Sequence, residues 1–352
     1  MGDDQAGHDE PKGVDVEAVT AWFVEHVEGV HPPLRFALLP GGHSNITHRV
    51  TDGRGASWVF RRPPLGHVLA SAHDMAREYR AIAALGPTAV PVARAHGLCE
   101  DPTVTGAPFY VMDHVAGHVL HHLDDAVTHL DQPQRRRAGL SLIDVLAELH
   151  TLDVDRIGLG DHGRRDAYVE RQLRRWHGQW EQSKTRDLPA LDRVHAALAA
   201  DVPEPGPAAV VHGDYRFGNV LCGADGPIAA VLDWEISTLG DPLADLGYTV
   251  NYWVRPGDDG PFADGQPTLA PGMPERDEIL ARYAERTGRD LARIDYYRAF
   301  SYWKSACIAE GVYARYLGGA LGDTSGVDLA HFERSVVGLA EAAERALRAA
   351  GH

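Results

Sequence analysis

The sequence predicts an α+β protein, in which a strand-rich N-terminal part is followed by a larger and mostly helical C-terminal part. Short runs of β-branched and aromatic residues, separated by glycine and proline, occur between residues 35 and 111 and are typical of strands. From residue 118 onward, longer segments carry apolar residues at helical spacing. The stretch 210–235 concentrates carboxylates and a carboxamide in a loop, which makes it the candidate functional centre.

Length and composition are those of an ordinary globular protein. The 352 residues allow one large domain or two, and 44% hydrophobic with 24% charged residues is typical of soluble chains. The net charge of −16 argues against nucleic acid as a partner, because phosphate backbones are bound by basic surfaces. No apolar run reaches the roughly 18 residues that cross a bilayer, so no membrane partner is expected. Composition leaves the oligomeric state open.

The cysteines and the N-terminus predict a cytoplasmic location. The three cysteines are widely spaced and form no CxxC pair, which is typical of a reducing compartment. Residues 1–13 are acidic and polar, and they lack the basic and apolar regions of a signal peptide. We expect this segment to be a disordered tail.

The N-terminal part is expected to begin with a helix over residues 16–27. Strands are predicted over residues 35–39, 47–51, 57–62, 93–98 and 108–111. A Pro-Gly-Gly turn that contains Gly42 and precedes Ser44 joins the first two strands. By itself such a turn is equally typical of a plain hairpin.

Alternation along the third strand divides its side chains between two faces. Val59 and Arg61 share one face, whereas Arg62 and two aromatic residues share the other. The next helix is predicted to begin with a capping box at Ser71 and to end near residue 85. Glu78 lies beside the apolar face of that helix, so it either reaches solvent as a flanking charge or requires a cationic partner.

The C-terminal part is predicted to contain helices over residues 134–152, 275–287 and 292–349, with one or two more in 166–200. Residues 255–274 are rich in Gly, Pro and Asp and predict a long loop. Asp241 followed by Pro242 is typical of a helix start, with the aspartate as N-cap and the proline in the first turn.

Two carboxylates and one carboxamide in residues 210–235 suit phosphoryl transfer. Asp214 and Asn219 lie five residues apart on a loop, and Asp233 directly follows the apolar run 228–232. Oxygen atoms of these kinds bind Mg²⁺, and a carboxylate can accept the proton of an attacking hydroxyl group. Each residue alone is also compatible with capping a loop, which is a common role of Asp and Asn.

Residues 212–219, HGDYRFGN, resemble the protein-kinase catalytic loop H-R-D-x-x-x-x-N. The Gly after His, the later Asp-Trp-Glu at 233–235 and the run GDPLADL at 240–246 are similar to the aminoglycoside phosphotransferase (APH) family. Within that family, the sequence most resembles the branch related to the kinase-like domain of acyl-CoA dehydrogenase family members 10 and 11. The resemblance covers nearly the whole chain.

The resemblance implies a protein-kinase-like two-lobe fold that binds ATP and Mg²⁺ between its lobes. The N-lobe would span residues 14–112, the hinge 113–117 and the C-lobe 118–352. The implied reaction is phosphorylation of a hydroxyl group on a small molecule. Protein substrates are not expected, because the sequence has no A-P-E motif.

The resemblance assigns four residues to the transfer step. Asp214 corresponds to the catalytic base, and Asn219 and Asp233 correspond to the Mg²⁺ ligands. Arg216 corresponds to a cation that contacts the γ-phosphate, with a surface arginine as the alternative interpretation. In such reactions positioning and charge neutralisation dominate, and covalent chemistry by the protein is minor.

The resemblance also assigns residues to the nucleotide. Arg61 takes the place of the usual phosphate-binding Lys, and Glu78 takes the place of the helix glutamate that pairs with it. How fully Arg61 replaces Lys is left open, because a guanidinium is planar and an ammonium is a point charge. Val59 would cover the adenine, while Gly42 and Ser44 would cover the phosphates.

Further positions are implied around the adenine and the loop. Met112 would lie at the back of the adenine pocket, although a plain core methionine would look the same in sequence. Backbone groups of Asp113 and Val115 would bind the adenine. His212 is expected to bond the loop backbone, and Asp245 is expected to brace the loop.

The phosphate acceptor is left open. The branch resemblance implies a hydroxyacyl-CoA or a hydroxy acid. The alternatives are an antibiotic phosphotransferase, acting on an aminoglycoside or a macrolide, and a nucleotide-binding pseudokinase with a regulatory role. An anionic acceptor needs cations. A predicted C-lobe helix and the residues before it offer five, although a solvated basic face is the alternative: Arg164, Arg165, Arg171, Arg174 and Arg175.

Overall fold

The computed structural model describes residues 11, 13–39, 45–65, 74–319 and 328–351. The chain divides into two compact units. The first unit consists of Met1–Ala116 with the short segment Asp233–Glu235, and the second consists of Gly117–Leu232 with Ile236–His352.

The first unit is built on a five-stranded antiparallel sheet. Its strands are β1 (Arg35–Leu38), β2 (Ile46–Thr51), β3 (Ser57–Arg62), β4 (Ala95–Cys99) and β5 (Phe109–Asp113). Its helices are α1 (Val16–His26), α2 (Met75–Leu85) and the single turn α3 (Pro102–Thr105). The strand order β1-β2-β3-β5-β4 places β5 inside the sheet, next to β3.

Strand alternation builds the core of the first unit. Trp58 and Phe60 of β3 are buried in a cluster that includes α1, where Phe23 meets Trp58 edge to face with ring centroids 6.2 Å apart. Phe60 also packs on Phe109 of β5, with ring centroids 4.7 Å apart. Because successive side chains of a strand point to opposite faces, Arg61 points away from this cluster.

The strands and α1 form where the sequence predicts them, with small differences at their ends. Strand β5 continues to Asp113 because Asp113 still pairs with Trp58 in the register of the sheet. The prediction of a cap at Ser71 for α2 is wrong. Asp74 caps this helix by accepting a hydrogen bond from the Arg77 amide at 2.9 Å, and Ser71 lies outside the described residues.

The second unit is mostly helical. Its helices are α4 (Leu123–His129), α5 (Gln132–Thr151), α6 (Tyr168–Ser183), α7 (Pro189–Ala200), α8 (Pro242–Asn251), α9 (Arg276–Thr287), α10 (Ile294–Leu317) and α11 (Leu329–Ala349). Its strands are β6 (Ala209–Val211), β7 (Val220–Cys222), β8 (Ile228–Val231) and β9 (Thr238–Gly240), paired antiparallel as β6–β9 and β7–β8. This content of strands and helices confirms the predicted α+β class.

Helix α10 lies at the centre of the second unit's core. Trp303 is fully buried, and its indole N–H donates to the carbonyl oxygen of Leu191 on α7 at 3.1 Å. Gly247 lets α8 approach α10 closely, because a Cβ added there would lie 2.7 Å from the carbonyl carbon of Tyr297. The position of α8, which carries Asp245, is therefore set by packing on α10.

Three further expectations concern the whole chain. The three cysteines are buried and free, as their spacing predicts. The predicted loop over 255–274 is present, with a single 3₁₀ turn at Pro267–Leu269. Within the described ranges, no helix has both the length and the apolar character needed to cross a membrane.

Phe60→Ala is expected to lower the free energy of unfolding by about 3–5 kcal/mol, because it removes a fully buried ring and leaves a cavity. Urea denaturation followed by tryptophan fluorescence measures this loss, since Trp58 lies in the same core. The control is Val24→Ala on α1, where the side chain is 55% exposed. The control is expected to change stability by less than about 0.5 kcal/mol. Equal losses in the two variants would contradict the packing described.

Candidate active site

The loop that carries Asp214 is held by the carboxylate of Asp245. Asp245, in the first turn of α8, accepts hydrogen bonds from the backbone amides of His212 and Gly213, the second at 2.8 Å. Burial raises the pKa of Asp245, but interactions with His150 and His212 outweigh it and hold the pKa below its usual value. The bracing contact predicted for Asp245 is present.

Helix α8 presents Asp245 to the loop because of the way the helix begins. The Asp241 side chain accepts a hydrogen bond from the Leu243 amide at 3.0 Å, and Pro242 is the first helical residue. The Tyr297 hydroxyl of α10 also donates to Asp241, at 2.6 Å. The helix start predicted from the sequence is confirmed, and it fixes the direction of the first turn.

Gly213 and His212 give the loop its shape. Gly213 has a φ of +88°, and a Cβ there would lie 2.9 Å from the side chain of Ile236. His212 Nε2 lies 2.7 Å from the Leu232 carbonyl oxygen, and Nδ1 accepts from the Asp214 amide at 3.3 Å. Both ring nitrogens are thus engaged with backbone atoms, so His212 has the structural role expected of it.

Asp214 is oriented by three hydrogen-bond donors. Its Oδ1 accepts from the Tyr248 hydroxyl and from Arg216 Nε, the latter at 3.3 Å. Its Oδ2 accepts from Asn219 Nδ2 at 2.7 Å. Donors on both oxygens fix the plane of the carboxylate, and its side chain remains 29% exposed. A fixed and accessible carboxylate is suited to accept a proton from a substrate hydroxyl.

Tyr248 is a contact that reasoning from the sequence missed. It lies on α8 three residues after Asp245, so the two side chains share one helix face. Burial, together with the nearby Asp214, raises the pKa of Tyr248 well above its ordinary value, so the hydroxyl stays protonated and donates. The three-residue spacing between Asp245 and Tyr248 could have predicted this contact. A helix face that contacts the backbone of His212 and Gly213 also lies close to Asp214, the next residue of the loop.

Asn219 has a side chain arranged to bind a hard cation. Its Nδ2 donates both to the Asp214 carbonyl oxygen at 2.8 Å and to the Asp214 carboxylate. Within the part of the chain that the structure describes, no hydrogen-bond donor reaches its Oδ1. Asn219 is mostly buried, and a buried polar atom normally has a bonding partner. A metal ion would be a suitable partner for this oxygen, because carboxamide oxygens are ligands for Mg²⁺.

Arg216 is held beside the candidate base. Its guanidinium lies over the ring of Tyr252, 5.3 Å from the centroid, in addition to its contact with Asp214. Burial lowers the pKa of Arg216, but Asp214 and the neighbouring tyrosines raise it above its usual value. A cation in this position can stabilise negative charge that develops on a transferred phosphoryl group.

Lys304 of α10 is a second cation near the same loop. Burial lowers its pKa, whereas electrostatic interactions with Asp245 and Asp214 raise it. In the sequence Lys304 belongs only to a Ser-x-x-Lys pattern without supporting motifs, so its place beside the loop was not predicted. The electrostatic interaction of Lys304 with Asp245 links α10 with α8, which are separate segments of the chain.

In the first unit, Arg61 binds three carboxylates. Its Nε lies 3.2 Å from Glu78, and its Nη2 lies 2.9 Å from Asp233 and 3.8 Å from Glu235. Its Nη1 donates to the Thr47 hydroxyl at 3.3 Å. The expected pairing of Arg61 with Glu78 is present, and all three guanidinium nitrogens are engaged.

Among the residues that the structure describes, one guanidinium in this cluster faces three carboxylates. Asn45 supplies a neutral donor, with its amide nitrogen 3.1 Å from Glu235. Burial raises the pKa of Glu78, Arg61 opposes this, and the carboxylates of Asp233 and Glu235 add to it. The excess negative charge fits a divalent cation, which would compensate it.

Asp233 has an unusual backbone conformation. Its φ is +62°, in the left-handed region that few residues other than glycine adopt. Such strain persists only where the surroundings impose it, and it is concentrated at functional sites. Asp233 follows an apolar strand, yet its side chain is 34% exposed. The carboxylate is therefore accessible, although it directly follows an apolar run.

Arg62, the competing cation on β3, lies on the opposite face. It is 4% exposed and donates to the carbonyl oxygens of Pro63 and Thr105 at 3.3 and 3.2 Å. Burial lowers its pKa. Arg62 is therefore a structural residue, and Arg61 is the accessible cation of the strand.

The residues expected around adenine are only partly available for it. Val59 and Met112 are cross-strand neighbours on β3 and β5. The Asp113 amide donates to the Arg94 carbonyl oxygen at 2.9 Å, so this amide is not available to a nucleotide. The Val115 amide has no backbone partner among the described residues.

Two predicted nucleotide residues cannot be placed. Gly42 and Ser44, which were expected to cover the phosphates, lie outside the described residues.

Residues 35–297 match a family described as APH, phosphotransferase enzyme family. The chain belongs to this family.

Acyl-CoA dehydrogenase family member 11 of Gallus gallus is 34% identical over 307 residues, which cover 85% of this chain and 39% of that protein. Family member 10 of Mus musculus is 32% identical over 306 residues, covering 84% of this chain and 28% of that protein. The chain thus spans less than half the length of these relatives, and the predicted branch is confirmed.

Solved structures agree with this assignment. A crystal structure from Ralstonia eutropha JMP134, described as a candidate aminoglycoside phosphotransferase, has a TM-score of 0.81 and 33% identity, covering 95% of this chain and 98% of that one. The phosphotransferase APH(4)-Ia, solved with ADP and hygromycin B, has a TM-score of 0.56 and 16% identity, covering 91% and 98%. The predicted protein-kinase-like fold is confirmed.

Asp245→Asn is expected to lower the free energy of unfolding by about 1–3 kcal/mol, because a carboxamide accepts through one oxygen and its NH₂ group would face a backbone donor. Urea denaturation measures the loss. Asp124→Asn is the control, since Asp124 is exposed on α4 and its substitution should cost less than about 0.5 kcal/mol. If the two variants are equally stable, the loop does not depend on this carboxylate.

Proposed function

We propose that this protein is an ATP- and Mg²⁺-dependent kinase that phosphorylates a hydroxyl group of a small molecule. The observation that carries the proposal is the orientation of the Asp214 carboxylate by Tyr248, Arg216 and Asn219. Membership in a phosphotransferase family supports it, and so does the structural neighbour solved with ADP.

In this proposal Asp214 is the general base. As the acceptor oxygen attacks the γ-phosphorus of ATP, the hydroxyl proton passes to Asp214, and ADP leaves with the electrons of the broken P–O bond. Tyr248 and Asn219 hold the carboxylate in position, and Arg216 stabilises the charge on the transferred group. The loop needs no covalent intermediate for this step.

Asn219 and Asp233 are proposed to supply oxygen ligands to Mg²⁺. The carboxamide oxygen of Asn219 has no donor in the described structure, and Asp233 belongs to a cluster with excess negative charge. These are the oxygen types that Mg²⁺ prefers, and the bound ion would neutralise charge on the phosphates.

Arg61 is proposed to bind a phosphate oxygen of the nucleotide, with Glu78 holding it in orientation. Because all three of its nitrogens are engaged, a phosphate oxygen has to replace one of the present acceptors. Asp233 is the more accessible of its two closest carboxylates, with 34% of the side chain exposed against 2% for Glu78. The planar guanidinium suits phosphate.

The adenine is proposed to lie against Val59 and Met112. Asp113 and Val115 would contribute backbone groups, with the Asp113 amide excluded because it already donates to Arg94.

We propose a hydroxyacyl-CoA or a hydroxy acid as the acceptor. Support comes from the similarity to acyl-CoA dehydrogenase family members, whose names refer to acyl-CoA. A second candidate is an aminoglycoside, which the Ralstonia eutropha structure favours by its description. The net charge of −16 is compatible with a polycationic acceptor of that kind.

Asp214→Asn is expected to slow phosphoryl transfer roughly 10²–10⁴-fold, because the general base is lost. ATP binding should be retained. Mass spectrometry of a panel of hydroxy acids, hydroxyacyl-CoAs, aminoglycosides and macrolides, each with Mg·ATP, detects the added phosphate and identifies the acceptor. Asp124→Asn is the control for the change of charge. ATP binding by the unchanged protein without phosphorylation of any compound would favour a catalytically inactive, regulatory role instead.

Asp233→Asn is expected to weaken Mg·ATP binding more than Asp214→Asn does. Of these two aspartates, Asp233 is proposed to bind the ion and Asp214 is not. Isothermal titration calorimetry with and without Mg²⁺ measures both losses. Asn219→Ala combined with Asp233→Asn should give a non-additive loss if the two residues act through the same ion. Equal losses in Asp214→Asn and Asp233→Asn would contradict this division of roles.

A further inference from the structure

A cavity of about 230 Å³ in the second unit is lined by arginines from three helices. Arg276 lies at the start of α9, Arg298 on α10 and Arg345 on α11. Phe262, from the loop after α8, and Tyr302 of α10 form an aromatic part of the wall. The cavity has space for a small polar group with part of an apolar chain.

Two of the three arginines are already held in place. Arg276 binds the carboxylate of Asp258. Arg298 donates through Nη1 to Asp295 at 2.8 Å and through Nε to the Asn251 side chain at 3.2 Å. These contacts fix the two guanidinium groups against the wall, so little conformational entropy is lost when they bind a ligand.

Arg345 differs from the other two arginines. It is partly buried, and among the described residues it has neither a hydrogen-bond partner nor an ion-pair partner. Two carboxylates also line the cavity, but Asp258 is occupied by Arg276 and by the Arg255 amide at 2.8 Å, and Asp259 is exposed. Among the described residues, Arg345 is therefore the arginine of this wall that has no ion-pair partner.

A row of aromatic side chains connects this cavity with the candidate base. Ring centroids lie 5.8 Å apart for Tyr302 and Phe262, 4.1 Å for Phe262 and Tyr252, and 4.9 Å for Tyr252 and Tyr248. The Tyr248 hydroxyl donates to Asp214. Each of these four rings belongs to a partly exposed residue, so the row that links the cavity with the base can contact the apolar body of a ligand.

The arginines considered from the sequence alone do not form a comparable site. Arg165 is paired with Asp155, and Arg164 is paired with Asp166. Arg171 donates to the Arg164 carbonyl oxygen at 2.7 Å. Arg164 is largely exposed, and none of the arginines considered from the sequence lines the cavity described above.

We propose that the arginine-lined cavity binds an anionic group of the phosphate acceptor. The body of the acceptor then lies along the aromatic row, and its hydroxyl group reaches Asp214. The anionic group is a carboxylate or a phosphate, since a guanidinium fork binds either by two parallel hydrogen bonds. This inference rests on the proposed kinase function, and it adds the charge of the acceptor and the residues that recognise it.

Arg345→Gln is the test, because Arg345 has no partner within the described structure and its loss should leave the fold intact. Arg348→Gln, exposed on the same helix and absent from the cavity wall, is the matched control. Inorganic phosphate and succinate are titrated separately into the full chain and both variants, with intrinsic tyrosine and tryptophan fluorescence as the signal. Anions bound elsewhere are affected by neither substitution.

We expect Arg345→Gln to raise the dissociation constant of the preferred anion by about 10-fold or more, and Arg348→Gln to leave it unchanged. Whether phosphate or succinate binds more tightly identifies the anionic group. Equal affinities in the two variants, or no binding of either anion to the unchanged protein, would overturn the proposal.

Kinetics with the acceptor found in the mass-spectrometric panel separate this inference from the proposed function. Arg345→Gln should raise the acceptor KM by about 10-fold or more and leave kcat and the KM for ATP unchanged. Phosphorylation with an acceptor KM that Arg345→Gln does not alter would overturn the subsite and leave the kinase standing. Anion binding that depends on Arg345, without any phosphorylated acceptor, would support the subsite and count against the kinase.

Discussion

The candidate active site of the second unit depends on one buried carboxylate. Asp245 accepts the amides of His212 and Gly213 and so fixes the backbone that leads to Asp214. A carboxylate is suited to this task because each of its two oxygens accepts a hydrogen bond from one of the two neighbouring amides. Both buried amides are therefore paired. The same helix face also carries Tyr248, so α8 both shapes the loop and orients its reactive group. Because α8 packs on α10, the helical core determines where Asp245 lies, and Asp245 in turn determines where the loop lies.

The first unit meets a different physical constraint, which is electrostatic. Arg61 is surrounded by more negative charge than it can compensate, and its three nitrogens are all engaged. The ion pair between Arg61 and the buried Glu78 is the more strongly maintained contact. Breaking it would leave the Glu78 carboxylate charged, buried and without a partner. The contact with Asp233 is more exposed, and the backbone of Asp233 is strained. The negative charge of these carboxylates would be compensated by an added cation.

In our proposal, recognition of the acceptor depends on the arginine-lined cavity of the second unit. The loop of residues 255–274 together with α10 and α11 supplies the cavity wall, and these segments carry no motif. The aromatic row contributes area and rigidity, whereas the arginines contribute charge selectivity. The proposed anion site favours an anionic acceptor over an aminoglycoside, because a polycation is repelled by Arg345.

Local interactions account for what the sequence by itself determined. Periodicity located the strands and helices, alternation put Arg61 and Arg62 on opposite faces of β3, and the Asp241-Pro242 pair marked the start of α8. The spacing of Asp214, Asn219 and Asp233 predicted the chemistry that we propose, because a loop and a strand end are local features that the sequence shows directly. Only the tertiary structure decided that Tyr248 contacts Asp214, that the Asp113 amide is occupied by Arg94, and that Arg276, Arg298 and Arg345 line one cavity. Each of these contacts joins segments far apart along the chain, and their distances follow from how side chains of different elements pack, which no local pattern encodes.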